Sequence, residues 1–443
     1  MERAGASRLP PELNAVVELI DQYRLGWSLD QAFYNDPAIF ELERRLWFPR
    51  QWSVIAHASE VDEKGRYIIR HLYGEEIVVV RFGDAADDIA AYYNVCTHRG
   101  SRLCTKDGKG RLLVCPYHAW SFKLTGELQS KQEVPEGIDP ANLGLHKVAT
   151  RIVGGLVLCG LDPDVLPDAQ PLADAIEGGL RQQGIDRSRI LVRKSYPTKA
   201  NWKLVLENFS ECYHCRPAHP EYFRTNGYVK VVAMRDEAAA VEWQRELDSW
   251  HSVIGDAEFK KGAWEAGGLD KVQYGMYRKP IGSGRKTLSD DGEPVSRLMG
   301  GRSEYDGGET GFRLGRLSMI SSANDYATLF QMIPRSVNET DVYLTWLVDK
   351  DVDVDINPDP ITWMWDVTTI QDKKITEDNA DGIRSRAYRP GPYTDLEAQP
   401  AFFCQAYLGE MRELITGEKS PAPVWQFPSK GYSSQPTCAV PVS

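Results

Sequence analysis

Two short strings decide the fold of the first third of this chain: Cys96-Thr97-His98 and Cys115-Pro116-Tyr117-His118, separated by sixteen residues. Each string combines one sulfur ligand with one nitrogen ligand. Zinc fingers usually segregate the two ligand types, with two Cys first and two His later. The mixed order is instead typical of a [2Fe–2S] cluster in which two Cys hold one iron and two His hold the other. The strings predict an electron-transfer site, and a structural zinc knuckle is the open alternative.

The surroundings of the two strings predict a small all-β module. Short β-rich runs separated by Gly and Asp turns extend from Trp52 to about Cys159. Glycines such as Gly100 and Gly126 flank the strings, so each string is expected at the tip of a β-loop whose backbone N–H groups point at sulfur. We expect the two loops to clamp the cluster from opposite sides.

Length, composition and charge exclude several classes of protein. The 443 residues allow two or three domains, and 42% hydrophobic with 26% charged residues is ordinary for a soluble globular chain. A net charge of −11 argues against nucleic acid or an anionic membrane as the main partner. The N-terminus carries no apolar leader and no stretch resembles a membrane span, so a cytoplasmic location is expected.

The segment from Asn201 to Pro220 contains His214 and His219, which suggest a second metal site. A separation of five residues would not place both on one face of an unbroken helix. A helix is predicted from residue 202 to about residue 214, and Pro217 should end it, so the chain can turn His219 back toward His214. Two imidazoles converging at a helix end resemble metal ligands, although such a pair is more often structural.

A helix predicted over residues 359–386 offers a third ligand. A helical stripe places the Asp372 carboxylate among inward-facing residues, namely Ile361, Trp365, Thr368 and Ile375. A buried carboxylate needs a partner, and a metal ion supplies one. Two His and one carboxylate form the facial triad of non-haem Fe(II) oxygenases. The pattern alone leaves a ligand and a structural carboxylate equally open for Asp372.

Together these motifs resemble the α-subunits of Rieske non-haem iron oxygenases, often called aromatic-ring-hydroxylating dioxygenases. The resemblance runs over nearly the whole length and rests on the two Cys/His strings, the segment 201–219 and Gln371-Asp372. It implies an α+β chain with a helical segment over 1–46 that packs on the catalytic domain. An all-β Rieske domain would follow over 47–163, and a catalytic domain with an antiparallel sheet gripping a helix over 164–443.

The resemblance also implies cofactors, ligands and partners. It assigns Cys96 and Cys115 to one cluster iron, and His98 and His118 to the other. It assigns a mononuclear Fe(II) to three ligands, which are His214, His219 and Asp372. Asn208 would lie near this iron without binding it. O₂ would be a co-substrate, and a separate reductase with NAD(P)H and flavin would supply electrons. The chain would form a homotrimer, and its net charge and lack of an apolar span predict no nucleic acid or membrane partner.

Glu211 departs from the pattern of most family members, which have Asp three residues before the first iron-ligand His. In the family this residue bridges a Rieske His of a neighbouring subunit to an iron-ligand His, and its spacing lets Glu211 contact His214. Glu here, together with the strings 211–215 and 388–393, is similar to the members that oxidise quaternary ammonium compounds such as glycine betaine and carnitine. A neutral carboxylate swap in an aromatic hydroxylase remains open.

We therefore expect a terminal oxygenase that N-demethylates a quaternary ammonium compound such as glycine betaine. Hydroxylation or dihydroxylation of an aromatic ring is the alternative, and a Rieske electron carrier without oxygenase activity is a weaker one. A quaternary ammonium group cannot donate hydrogen bonds, so cation–π contacts would hold it. Many rings are candidates, namely Trp243, Trp250, Trp264, Tyr274, Phe330 and Trp346. Arg313 or Arg316 is a candidate for a substrate carboxylate.

Overall fold

The computed structural model describes residues 9–130, 134–226, 237–254, 268–282 and 284–419. Strands concentrate in two antiparallel sheets, and helices flank them, which confirms the α+β class. The helices of the described residues are α1 (Pro11–Asp21), α2 (Gln31–Asn35), α3 (Pro37–Leu42), α4 (Gln170–Gln182), α5 (Trp202–Asn208), α6 (Cys215–Ala218), α7 (Pro220–Thr225), α8 (Glu237–Ile254), α9 (Asp359–Ile383) and α10 (Ala398–Thr416). None of these helices combines the length and apolarity that a membrane crossing requires.

The N-terminal sheet has seven strands in the order β1-β9-β8-β4-β3-β2-β5, and β6 pairs with β7 beside it. Tyr73 and Gly74 form the two-residue turn between β2 and β3, with φ of 51° and 91°. Two positive φ angles in succession suit the right-handed twist of a tight hairpin. The strands are β1 (Ser53–His57), β2 (Arg66–Leu72), β3 (Glu75–Arg81), β4 (Ile89–Tyr93), β5 (Gly108–Lys109), β6 (Leu112–Val114), β7 (Ser121–Lys123), β8 (Lys147–Val153) and β9 (Leu156–Gly160).

The second sheet has six strands in the order β10-β15-β14-β13-β12-β11, and every neighbouring pair is antiparallel. Consecutive strands from β11 to β15 are neighbours, so this part of the sheet is a meander. The strands are β10 (Ser188–Thr198), β11 (Tyr274–Pro280), β12 (Gly308–Leu314), β13 (Ser318–Ser322), β14 (Ala327–Ser336) and β15 (Glu339–Asp349).

The two faces of the second sheet pack against different helices. Leu329 and Leu347 lie on one face, in a core cluster with residues of α4 such as Ile176. Phe330 and Trp346 lie on the other face, in the core cluster that contains the inward side of α9. Because side chains alternate along a strand, neighbouring residues of β14 serve the two cores in turn. The layer between the second face and α9 is called the sheet–helix layer below.

The helix predicted from residue 202 to residue 214 is wrong at its C-terminal end, since α5 ends at Asn208. Side chains divert the backbone beyond this point. The hydroxyl of Ser210 donates a hydrogen bond to the carbonyl of Leu206 (2.6 Å). The Glu211 carboxylate accepts hydrogen bonds from the backbone N–H groups of Tyr213 and His214. Pro217 lies in the first turn of α6, where its missing N–H is not needed.

The N-terminal helical segment contacts the catalytic helices through buried charges. Glu43 is fully buried and accepts hydrogen bonds from Trp202, Lys203 and Tyr407. Lys203 is also fully buried, so water neither screens the attraction between the two charges nor hydrates either charge if its partner is removed. Removing either partner would leave an uncompensated buried charge, so this pair ties the segment around Glu43 to α5 and α10. The predicted domain boundaries at residues 46 and 163 stay a prediction.

Candidate metal centres

The two Cys/His strings occupy turns of the same shape. The first string follows β4, and the second lies between β6 and β7. In each turn the carbonyl of the cysteine accepts a hydrogen bond from the backbone N–H four residues later, at Gly100 (2.9 Å) and at Ala119 (3.1 Å). Both of these residues have positive φ, 73° and 59°. Ala119 adopts this conformation at a steric cost that glycine would not have, so the surrounding loop must hold it there.

The structure brings the four predicted cluster residues together and separates them by ligand type. The buried thiols of Cys96 and Cys115 are close enough to interact by hydrogen bonding. The imidazoles of His98 and His118 have ring centroids 4.8 Å apart and are exposed. Two sulfurs on the inner side and two nitrogens on the outer side fit a two-iron cluster in which each iron takes one ligand type.

His214, His219 and Asp372 form a small triangle of ligand atoms. The two Nε2 atoms are 3.1 Å apart, and Asp372 Oδ1 is 2.9 Å from His219 Nε2 and 3.3 Å from His214 Nε2. Ligand atoms about 2.1 Å from one ion and at right angles to each other are about 3.0 Å apart. The three atoms therefore fit one face of an octahedral ion, which is the arrangement of a facial triad.

Neighbouring side chains hold both imidazoles by the nitrogen that faces away from the triangle. Glu211 accepts at Nδ1 of His214, and Gln371 Oε1 lies 2.8 Å from Nδ1 of His219. Such partners select the tautomer that leaves Nε2 free for a metal. Asn208, predicted near this site, has its Nδ2 3.5 Å from His214 Nε2. The role of Gln371 was missed, because only the distant fold brings α9 to His219.

The electrostatics of the triangle favour a positive charge at its centre. Burial alone would lower the pKa of His214, but the carboxylates of Asp372 and Glu211 outweigh it and raise the pKa to about 9. Burial would raise the pKa of Asp372, but its hydrogen bonds from both imidazoles hold that pKa below its usual value. Protons on the imidazoles thus balance the charge of the carboxylates, and a metal ion bound to the triangle would displace these protons.

A disulfide between Cys212 and Cys215 closes a short loop around His214. The Cys215 sulfur lies 4.0 Å from His214 Nε2 and belongs to the same group of potential ligand atoms as both imidazoles. A disulfide sulfur is not a thiolate, so in this form it does not compete with Asp372. Sequence reasoning missed the bridge, although the C-x-x-C spacing was its signal.

Glu211 lies in a surface hollow beside the triangle. The hollow is lined by six residues, which are Glu211, Tyr213, His214, Arg216, Pro217 and Glu397. The Glu211 carboxylate thus contacts His214 on one side and borders the protein surface on the other.

The residues predicted as candidates for substrate binding lie in different parts of the fold, and two of them lie in the sheet–helix layer. Phe330 and Trp346 lie in the sheet–helix layer. Trp243 and Trp250 lie on α8, Tyr274 lies on β11, and Trp264 lies outside the described residues. The guanidinium of Arg316 is buried against the Glu410 carboxylate, and Arg313 lies on β12. Two further rings were missed, Tyr222 and Trp365, which pack together with centroids 5.3 Å apart.

Comparison with known proteins identifies two domains in this chain. Residues 51–142 match the Rieske [2Fe-2S] domain, and residues 185–413 match the catalytic domain of the ring-hydroxylating alpha subunit. The glycine betaine monooxygenase oxygenase subunit of Chromohalobacter salexigens is 35% identical over 398 residues, which cover 86% of this chain and 85% of that one. The carnitine monooxygenase oxygenase subunit of Escherichia coli K12 is 28% identical over 382 residues, covering 82% and 86%.

Solved structures share the fold. The quaternary ammonium Rieske monooxygenase CntA in complex with L-carnitine superposes with a TM-score of 0.64 at 22% identity, covering 89% of this chain and 98% of that one. Naphthalene 1,2-dioxygenase from Rhodococcus sp. superposes with a TM-score of 0.61 at 18% identity, covering 90% and 97%. Both likenesses show the fold, and the two family models identify it as a Rieske domain followed by a catalytic domain, as the sequence predicted.

Proposed function

This chain belongs to the ring-hydroxylating α-subunit family of Rieske oxygenases, and we propose that it demethylates a quaternary ammonium compound, with glycine betaine as the first candidate. It is an enzyme of the Rieske non-haem iron oxygenase class, with a Rieske [2Fe–2S] domain and a catalytic domain that binds mononuclear iron. The triangle of His214, His219 and Asp372 carries the proposal, since it gives the chain the ligand set that oxygenation needs.

We assign the mononuclear iron to that triangle and the cluster to Cys96, Cys115 and the two exposed histidines of the strings. Bound there, the mononuclear iron would supply activation of O₂ for oxidation of a C–H bond. The chain's own contribution is orientation. Glu211 and Gln371 hold the imidazoles, and the burial of Asp372 keeps water from its carboxylate.

Electrons would enter each catalytic site from a neighbouring chain. His98 and His118 are exposed, and Glu211 borders a surface hollow while it contacts His214. A partner's Rieske histidine placed in that hollow would make Glu211 the bridge between the two metal centres. This arrangement supports a cyclic homotrimer, because each chain offers one exposed donor and one exposed acceptor surface. A separate reductase would reduce the cluster.

The substrate class is proposed from the relatives and from the rings of the sheet–helix layer. The relatives at 28–35% identity are named for glycine betaine and carnitine, which both carry a trimethylammonium group. Aromatic faces attract such a cation by roughly 0.5–2 kcal/mol per ring. Hydroxylation of an N-methyl group uses one O₂, two electrons and two protons and gives a carbinolamine and water. The carbinolamine then releases formaldehyde and leaves the demethylated amine.

The test combines metal analysis with product measurement. Protein purified without oxygen should contain about three irons per chain, two in the cluster and one in the triangle. With a Rieske-type reductase and NADH, glycine betaine should yield one formaldehyde per NADH consumed. Oxidation of naphthalene without formaldehyde from any quaternary ammonium compound would favour ring hydroxylation. Two irons per chain with no product from either substrate class would favour an electron carrier.

A further inference from the structure

Four aromatic rings form a continuous wall beside the triangle. Phe209 contacts Phe330 with ring centroids 6.0 Å apart, Phe330 meets Trp365 edge to face at 5.2 Å, and Trp365 packs on Tyr222 at 5.3 Å. The chain of contacts runs from the end of α5 across β14 to α9 and α7. Rings from four separate elements thus meet in the sheet–helix layer.

The wall is attached to the residues of the triangle. Tyr222 lies one helical turn after His219, and Trp365 lies two turns before Asp372 on the same face of α9. Thr369 lies between them, four residues after Trp365 and three before Asp372, on this same buried face. A molecule that contacts these side chains is therefore held next to the metal-binding atoms.

Buried polar atoms without a partner occur in this layer. Trp365 is only 9% exposed and Thr369 only 2%, yet the indole N–H and the hydroxyl have no hydrogen-bond partner among the described residues. Buried Trp N–H groups usually find an acceptor, because an unpaired buried donor has lost its hydrogen bond to water and gained none in return. Three more such atoms lie around the wall, on Asn208, Thr328 and Trp346.

We propose that the Trp365 N–H and the Thr369 hydroxyl bind the carboxylate of a zwitterionic quaternary ammonium substrate. An indole N–H can only donate, so it needs an acceptor such as a carboxylate oxygen, and the Thr369 hydroxyl can donate to the same group. The trimethylammonium end then lies against the rings, which attract a cation and need no hydrogen bond from it. This inference rests on the proposed function and adds how the site selects its substrate.

The assignment makes Trp365 and Thr369 specificity-determining residues. A substrate with a carboxylate satisfies both donors, whereas a cation that lacks one leaves them unpaired and binds more weakly. Hydrogen bonds to a charged group contribute about 1.5–3 kcal/mol each, which corresponds to a loss of about 10- to 100-fold in affinity when one is removed. Removing the Thr369 hydroxyl should not change the affinity for a cation that has no carboxylate.

The experiment compares two ligands on three variants of the anaerobic, iron-loaded protein. Calorimetry would measure Kd for glycine betaine and for ethyltrimethylammonium, which has a methyl group in place of the carboxylate. Thr369→Val removes one donor and keeps a side chain of similar shape, and Trp365→Phe removes the other donor and keeps an aromatic ring. Thr368→Val is the matched control, since the Thr368 hydroxyl already donates to the Met364 carbonyl (2.7 Å) within α9.

We expect Thr369→Val to weaken glycine betaine binding about 10- to 100-fold and to leave ethyltrimethylammonium binding unchanged. Trp365→Phe also changes one ring of the wall, so we expect it to weaken binding of both ligands, with a loss for glycine betaine about 10- to 100-fold larger than the loss for ethyltrimethylammonium. Equal losses for both ligands, or none for either, would overturn the carboxylate assignment and point to a packing role or to a buried water. If wild-type protein demethylates glycine betaine while these variants bind it normally, only this inference fails. If no quaternary ammonium compound is bound or demethylated, the proposed function fails as well.

Discussion

Replacing Glu207 by glutamine should remove a large pH dependence from the stability of the catalytic domain. Glu207 is buried on α5, next to Asn208, and its carboxylate accepts hydrogen bonds from Tyr34 (2.9 Å) and Tyr393 (2.8 Å). Burial raises its pKa to about 7, although the two phenols and the charge of Lys203 partly oppose this effect. Glutamine has the same shape and never ionises in this range.

The magnitude follows from the difference between the folded and unfolded pKa values. A rise from 4.5 to about 7 means that the folded chain keeps a proton that the unfolded chain has lost over this interval. Each unit is worth about 1.4 kcal/mol, so the residue contributes about 3 kcal/mol that is fully present below pH 4.5 and lost as the pH rises to about 7. Glu207→Gln should therefore be relatively more stable at pH 8 than at pH 5.

Urea unfolding of the two proteins at pH 5, 6.5 and 8, followed by tryptophan fluorescence, would measure this. The difference in unfolding free energy between variant and wild type should grow by about 2.5 kcal/mol in favour of the variant from pH 5 to pH 8, because a small part of the effect is already present at pH 5. A constant offset reflects altered hydrogen bonds and not ionisation. Infrared difference spectra should show a protonated carboxyl in wild type below pH 7 that the variant lacks. A difference that stays flat with pH would refute the buried acid.

Three further predictions concern the metal centres. Asp372→Asn should reduce the iron content from about three to about two per chain while the visible spectrum of the cluster is retained, and retention of three irons would remove Asp372 from the ligand set. Glu211→Gln should slow the oxidation of the reduced cluster that follows addition of substrate and O₂ about 10- to 100-fold, without affecting chemical reduction of the cluster. An unchanged rate of cluster oxidation would exclude Glu211 as the bridge between the two metal centres. Protein denatured without reductant should show two thiols fewer than reduced protein, and a Cys212→Ser, Cys215→Ser double variant should show no such difference; equal counts in wild type would contradict the disulfide.

Local sequence predicted the cluster site because each half of it is a single turn. Cys96 and His98 are two residues apart, so one tight turn positions both, and the same holds for the second string. The iron triangle was predicted less directly. Asp372 was found only because a helical stripe buries it, and the periodicity of a long helix is visible without knowledge of its partners.

Other features depended on contacts between distant segments. The end of α5 at Asn208 was missed because the hydroxyl of Ser210 and the carboxylate of Glu211 bind the backbone and divert the chain, and propensity does not register such bonds. Gln371 and Trp365 were named in the sequence, but their contacts with His219 and Phe330 were missed because these partners come from other elements. Among the rings that were considered, burial in the sheet–helix layer separated Phe330 and Trp346 from the rest.

The sequence by itself determined the chemistry of this protein: which atoms are available as ligands, how they are paired, and which family they identify. Ligand chemistry is a property of residue types at short spacing, so it survives in a linear pattern. Only the tertiary structure decided how these parts face each other. It places His98 and His118 at the surface, Glu211 at a hollow, and two unpaired donors on the same helix face as Asp372, because burial and hydrogen bonding depend on segments that lie more than a hundred residues apart.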